Sequence, residues 1–191
     1  VRPSVWKLNP DGTPDTAFNG GSGFYEFDYG GTVWDIHEHA DGGLTVSGYT
    51  GWFNGAPQNT NGKITISKLT ADGTPDTTFS NDGTAVFDLA GTDDDALAHH
   101  VLGDGNILIV GESRQGEKDD TFILKTSSTG ELDLSFGSGN GSVIYDFSPE
   151  EDEAALSVNV DAEGRIYILG WAISNVSESE YYYLARFRSD G

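Results

Sequence analysis

The sequence predicts an all-β protein made of β-propeller blades, about three four-stranded antiparallel units of ~60 residues, alone or as part of a larger or oligomer-completed propeller. Three observations predict it. The first is a repeat: Asp72-Gly73-Thr74-Pro75-Asp76-Thr77-Thr78-Phe79 has a near copy at Asp11-Gly12-Thr13-Pro14-Asp15-Thr16-Ala17-Phe18. A more distant copy is Thr129-Gly130-Glu131-Leu132-Asp133-Leu134-Ser135-Phe136, and a fourth opens at Asp190-Gly191. The second is short apolar/polar alternation between Gly and Asp turns, with no helical period anywhere. The third is 26 glycines in 191 residues, as tight hairpins with positive φ require. One such unit is too thin to bury both its faces, so neighbours must stack. A linear β-solenoid or a pair of sandwiches is the alternative architecture.

Taken in order, Val5-Trp6-Lys7-Leu8 reads as a third strand and Phe24 to Asp28 as a fourth. The first full unit has strands at Val33–His39, Leu44–Tyr49, Lys63–Leu69 and Ala85–Leu89. Asp41-Gly42-Gly43 turns its first hairpin, and a polar stretch from Thr50 to Gly62 joins its second and third strands. The next unit repeats this order at Leu97–Leu102, Ile107–Gly111, Thr121–Lys125 and Val143–Phe147. The last has Leu156–Val160, Ile166–Gly170 and Tyr182–Arg186. This divides residues 1–191 into one repeat array: a partial blade 1–32, blades 33–92 and 93–153, and a partial blade 154–191. A closed propeller takes about four to eight blades. The expectation is therefore a segment of a longer repeat protein, or several copies completing a ring.

The repeated loop carries a resemblance. A basic residue and an apolar one precede it, as Lys7-Leu8…Asp11-Gly12…Asp15…Phe18 and Lys68-Leu69…Asp72-Gly73…Asp76…Phe79. A second pattern follows at Asp104-Gly105-Asn106-Ile107…Gly111. In these features the chain resembles the delta-60 repeat family. The third unit departs, with Thr129 and Glu163 in place of turn aspartates and Ser127 interrupting the run. The resemblance implies a secreted or surface bacterial propeller and names no activity.

Composition narrows the partners. Ten Lys and Arg stand against 31 Asp and Glu, a formal charge of −21. Such a surface repels nucleic-acid backbones and anionic membranes and attracts cations. With no Cys there is neither disulfide nor thiol chemistry. No apolar run is long enough to insert into a membrane. An extracellular or cell-surface setting is the expectation.

Residues that recur in every unit are expected to be structural. Asp15, Asp76 and Asp133 follow a turn, where a carboxylate holds loop shape by accepting backbone N–H groups. Phe18, Phe79 and Phe136 are expected to fill the gaps between blades. Lys7, Lys68, Lys125 and Arg186 share one third-strand position. What varies between units is expected to bind. Asp93-Asp94-Asp95 and Glu150-Glu151-Asp152-Glu153 read as acidic loops offering hard oxygen ligands for Ca²⁺. The segments 49–62, 112–120 and 171–180 read as variable loops on the same face. Trp52, Phe53 and Trp171 are the aromatic candidates there for stacking on a glycan or anchoring a protein.

For catalysis, His37 and His100 share a first-strand position, with Asn159 third and His39 and His99 nearby; first strands line a propeller channel, and His is a transition-metal ligand. No nucleophile elbow, phosphate loop or zinc-protease motif occurs. The expected function is a non-catalytic scaffold or adhesion module binding protein, glycan or its own copies. The alternative is a hydrolase or lyase with a metal at the channel.

Overall fold

The structure is a computed structural model that describes residues 2–51, 61–89, 92–174, 177 and 179–191. It is all-β and built of propeller-like antiparallel blades. A half-blade pairs β1 (Ser4–Trp6) with β2 (Phe24–Glu26). Blade I runs β3 (Gly31–Glu38), β4 (Leu44–Thr50), β5 (Lys63–Leu69) and β6 (Thr84–Phe87). Blade II runs β7 (Asp94–Val101), β8 (Ile107–Gln115), β9 (Lys118–Thr126) and β10 (Ser142–Tyr145). Blade III has three strands, β11 (Glu151–Val160), β12 (Ile166–Ser174) and β13 (Glu180–Phe187). Every pairing joins sequence neighbours, so each blade is a simple meander.

Each first strand carries a bulge at the same place. The register slips between Val33 and Asp35, between Ala96 and Ala98, and between Ala155 and Ser157. The extra residues are Trp34, Leu97 and Leu156. Opposite the bulges stand Gly48, Gly111 and Gly170. The strands approach so closely there that a Cβ on Gly48 would lie 2.0 Å from the Thr32 carbonyl oxygen, and one on Gly111 1.8 Å from that of Asp95. These glycines are demanded by the bulge, and they index the blades against one another.

The repeated loop follows each third strand and ties one blade to the next. Asp15 accepts the Ala17 N–H at 2.9 Å, Asp76 that of Thr78 at 3.0 Å, and Asp133 that of Ser135 at 3.0 Å. These turns aim Phe18, Phe79 and Phe136 inward, where each is at most 2% exposed. Each ring packs on the turn glycine of the next repeat: Phe18 on Gly73, Phe79 on Gly130, Phe136 on Gly191. Backbone bonds run alongside, from Asn19 N to Asp72 O, Ser80 N to Thr129 O and Gly137 N to Asp190 O. Lys7 and Lys125 ion-pair with Asp15 and Asp133, while Lys68 lies over the Phe79 ring.

The cores are the seams between blades. Half-blade and blade I meet at Val5, Phe18, Phe27, Val46 and Leu69. Blades I and II meet at Ile64, Ile66, Ile107, Ile109 and Phe122. Blades II and III meet at Val110, Ile123, Phe136, Val158 and Ile168. A middle blade is thus apolar on both faces, as β8 is with Ile107 to Val110 all buried.

Two expectations about loops are corrected. The acidic runs are largely strand: β7 starts at Asp94 and β11 at Glu151, with Asp93 and Glu150 just before them. Nor is 112–120 a long variable loop, since β8 and β9 continue to Gln115 and Lys118 around a turn with Gly116 at φ +77°. Most of these carboxylates are taken by backbone N–H groups, hydroxyls or an indole within the fold.

Candidate functional site

Aligning the blades on Gly48, Gly111 and Gly170 gives the acidic residues repeated jobs. Asp93 accepts the Gly62 N–H at 2.9 Å, and Asp152 accepts the Asp119 N–H at 3.0 Å. Gly62 and Asp119 occupy equivalent positions at the start of the third strands of the preceding blades, so both carboxylates are clasps across a seam. The next acid, Asp94 or Glu153, turns inward. Asp94 is 1% exposed and takes the Ser113 hydroxyl and the Leu89 N–H. Glu153 is fully buried and takes the N–H groups of Phe147 and Ser148. Burial raises the pKa of both, against the hydrogen bonds that lower it. Asp95 accepts the indole N–H of Trp34, the blade I bulge residue, at 2.9 Å, and burial pushes its carboxyl up to about 7. Glu151 accepts the Tyr181 hydroxyl, and Glu150 is exposed. Across from Asp95, burial and then the charges of Asp119, Asp95 and Asp152 push Glu112 up to about 7. Among the described residues, no group of three His, Cys, Asp or Glu side chains is placed to hold a metal ion.

The histidines lie on the first strands, and register puts His37, His100 and Asn159 at one position, opposite Thr45, Leu108 and Tyr167. His99 faces the other way, into the seam with blade I. Its Nδ1 is 2.8 Å from Ser47 Oγ and 3.3 Å from Asp35 Oδ2, and Asp35 also accepts the His99 backbone N–H at 2.9 Å. Nε2 is buried without a partner among the described residues. Burial, then the neighbouring His37, His39 and His100, hold His99 down to about 4 against the pull of Asp35, so the ring is neutral. Serine, histidine and aspartate together suggest acyl-transfer chemistry, but that relay needs hydroxyl and carboxylate on opposite ring nitrogens. Here both sit on Nδ1, so the geometry is not that of the relay.

The equivalent positions at the next seam explain the trio. Asp35, Ser47 and His99 correspond to Ala98, Val110 and Val158, three apolar residues in the blade II–III core. The trio is a polar replacement within a packing layer. Sequence reading paired His37 with His100 and did not join His99 to Ser47 and Asp35, because the partners lie on different blades and only the bulge sets the faces. A Ser and an Asp at positions that are otherwise Val and Ala were the available signal.

One surface remains apolar and uncovered. On blade III, Leu169, Leu184 and Tyr182 sit where blade II has Val110, Ile123 and Thr121. The blade II residues are fully buried, whereas Leu169 is 46% exposed, Leu184 74% and Tyr182 73%. Trp171 is on this same face, half-buried in β12 and paired with Tyr182, not in a loop. Trp52 and Phe53 lie outside the described residues. Among the described residues, β13 pairs with β12 alone.

A family model described as a domain of unknown function (DUF5122) β-propeller matches residues 1–18, 39–79 and 102–136. Each matched stretch ends on a seam phenylalanine, Phe18, Phe79 or Phe136. In these stretches the chain is similar to a propeller-like repeat family. No curated protein matches it.

Proposed function

We propose that this array of propeller-like repeats, of the delta-60 kind, is a non-catalytic scaffold at or outside the bacterial cell surface that takes a protein partner on the open face of blade III. The observation that carries this reading is the exposure of Leu169, Tyr182 and Leu184 at positions that the chain's own seams bury completely. Covering them recovers roughly 25 cal/mol per Å² of apolar area, and a contiguous apolar patch on a protein of charge −21 marks an interaction site. Tyr182 and Trp171 supply rigid aromatic anchors of the type that dominate protein interfaces. The delta-60 assignment is supported by the loop and Asp-Gly-x-Ile patterns. The strong negative charge supports a setting of high ionic strength, where self-repulsion is screened. A non-catalytic role is supported by the use of Asp93, Asp94, Asp152, Glu153 and the His99 trio as structural ties.

The test is retention of cell-surface protein by the immobilised chain, compared with Leu184→Glu and Tyr182→Ser variants of equal thermal stability. The reading expects specific partners to be lost with both variants. Retention unchanged by both would overturn it.

A further inference from the structure

We infer that blade I carries a binding site for a small zwitterion of the α-amino-acid type, in a pocket between its first hairpin turn and the loop that follows β5. The pocket holds about 220 Å³, and its lining includes His39, Asp41, Gly43, Lys68, Ala71 and Asp76. The other repeats show what is unusual about it. In the half-blade and in blade II the third-strand lysine closes on the loop aspartate, Lys7 on Asp15 at 3.8 Å and Lys125 on Asp133 at 2.8 Å. Lys68 and Asp76 hold the same two positions, yet no ion pair joins them. Asp76 spends Oδ1 on the N–H and hydroxyl of Thr78, and its Oδ2 has no partner among the described residues. The Lys68 amine lies 3.5 Å from the Ser128 carbonyl oxygen and 5.3 Å from the centre of the Phe79 ring.

Blade II fills the corresponding space with its own side chains. Asn106 Oδ1 accepts the Ser128 N–H at 3.0 Å and ties turn to loop, while Leu102 and Leu108 pack together into the seam with blade III. Blade I has Gly43, Ala71 and His39 where blade II has Asn106, Ser128 and Leu102. The tie is therefore missing and the space is open. In place of the two leucines, His39 Nε2 meets the Thr45 hydroxyl at 2.7 Å. Burial, then the Lys68 charge, lowers the pKa of His39, so near pH 7 its imidazole is neutral and offers a donor or an acceptor. An ammonium, two carboxylates and a neutral imidazole thus line one pocket. A half-buried lysine and aspartate that do not neutralise each other are both satisfied by one molecule carrying both charges, its carboxylate on Lys68 and its ammonium on Asp76 beside Asp41. A simple anion leaves Asp76 unanswered and is repelled by a protein of charge −21, and a simple cation leaves Lys68 unanswered.

The experiment follows the backbone amides of the isotope-labelled chain by NMR during titration with glycine and L-alanine, and separately with acetate and methylammonium, which each carry one of the two charges. It is repeated on Lys68→Met, Asp76→Asn and Gly43→Asn. The last keeps every charged group and restores the residue by which blade II closes the space. Thermal melts establish that each variant folds, and Lys68→Met, which keeps the side-chain stem, decides the matter if Gly43→Asn does not fold. Wild type is expected to bind glycine and L-alanine with a Kd on the order of 1 mM, as suits a ligand of few atoms. The shifts are expected at residues 39–43 and 68–76. Acetate and methylammonium are expected to bind at least ~10-fold more weakly, and each variant to lose ~10-fold or more of the affinity for glycine. No shift of these amides at ~50 mM glycine or L-alanine would overturn the inference. So would acetate or methylammonium binding as tightly as glycine, shifts confined to other residues, or affinity unchanged in the folded variants.

Discussion

At the scale of residues, two turn glycines form a controlled comparison. Gly12 and Gly73 have the same left-handed φ, +84° and +83°, in the same repeat position. A Cβ on Gly12 meets nothing within 4 Å, whereas one on Gly73 would lie 2.6 Å from the Phe18 ring. Gly12→Ala is expected to cost the backbone term alone, about 1 kcal/mol. Gly73→Ala adds displacement of a buried phenylalanine from a packed seam and is expected to cost about 3 kcal/mol. Chemical denaturation of the two variants measures the difference, and equal losses would show that Phe18 does not depend on Gly73. A second residue-scale prediction concerns pH. Glu112 and Asp95 are pushed up to about 7, so from about pH 4 to 7 the native state holds protons that the unfolded chain has lost. Stability from these groups therefore falls as pH rises through that window. His99, held down to about 4, acts oppositely: unfolding lets it bind a proton below its usual value near 6.5, so its contribution is lost as pH falls. Asp133, lowered to about 2 first by its bond from Lys125, titrates below the window. Glu112→Gln is expected to raise stability at pH 8 by about 2 kcal/mol and to change nothing near pH 4. Melting curves at the two values decide it, and an equal effect at both would refute the titration.

At the scale of elements, the strands were legible in the sequence because alternation and Gly/Asp turns report a pleated, half-buried surface directly. Lys63–Leu69 reads the same from sequence and structure. The starts of β7 and β11 were not legible. Asp94, Asp95, Glu151 and Asp152 look like solvated loop, because one sequence does not show that a carboxylate is matched by an N–H or a hydroxyl elsewhere in the fold. The Phe positions of the repeat were readable, since they recur with the Asp that sets their turn. The Asp35–Ser47–His99 trio was not, because its logic is visible only beside Ala98, Val110 and Val158. That comparison yields a prediction at this scale. His99→Val alone removes a partner from buried Ser47 and from Asp35, and is expected to destabilise by about 2 kcal/mol. The triple change Asp35→Ala, Ser47→Val and His99→Val recreates the blade II–III layer and is expected to be at least as stable as wild type. Denaturation midpoints of the single and triple variants measure this. A triple variant weaker than the single would mean that the trio contributes more than an apolar seam.

At the scale of the whole molecule, stability is a sum of seams. The repeat period made the array readable before any strand was placed, and the same period identifies what is unusual about it. Leu169, Tyr182 and Leu184 are ordinary seam residues in an exposed location, and no local pattern marks them; only their equivalence to Val110, Thr121 and Ile123 does. The aromatic candidates read from sequence divide accordingly, with Trp171 on the open face and Trp52 and Phe53 outside the described residues. The most direct measurement of the central claim is amide hydrogen exchange on the chain with and without the cell-surface protein that it retains. The open-face account predicts that amides of β12 and β13 gain protection with the partner bound, while β9 inside blade II stays constant. Protection that rises elsewhere, or β12 and β13 amides that exchange equally with and without the partner, would contradict it.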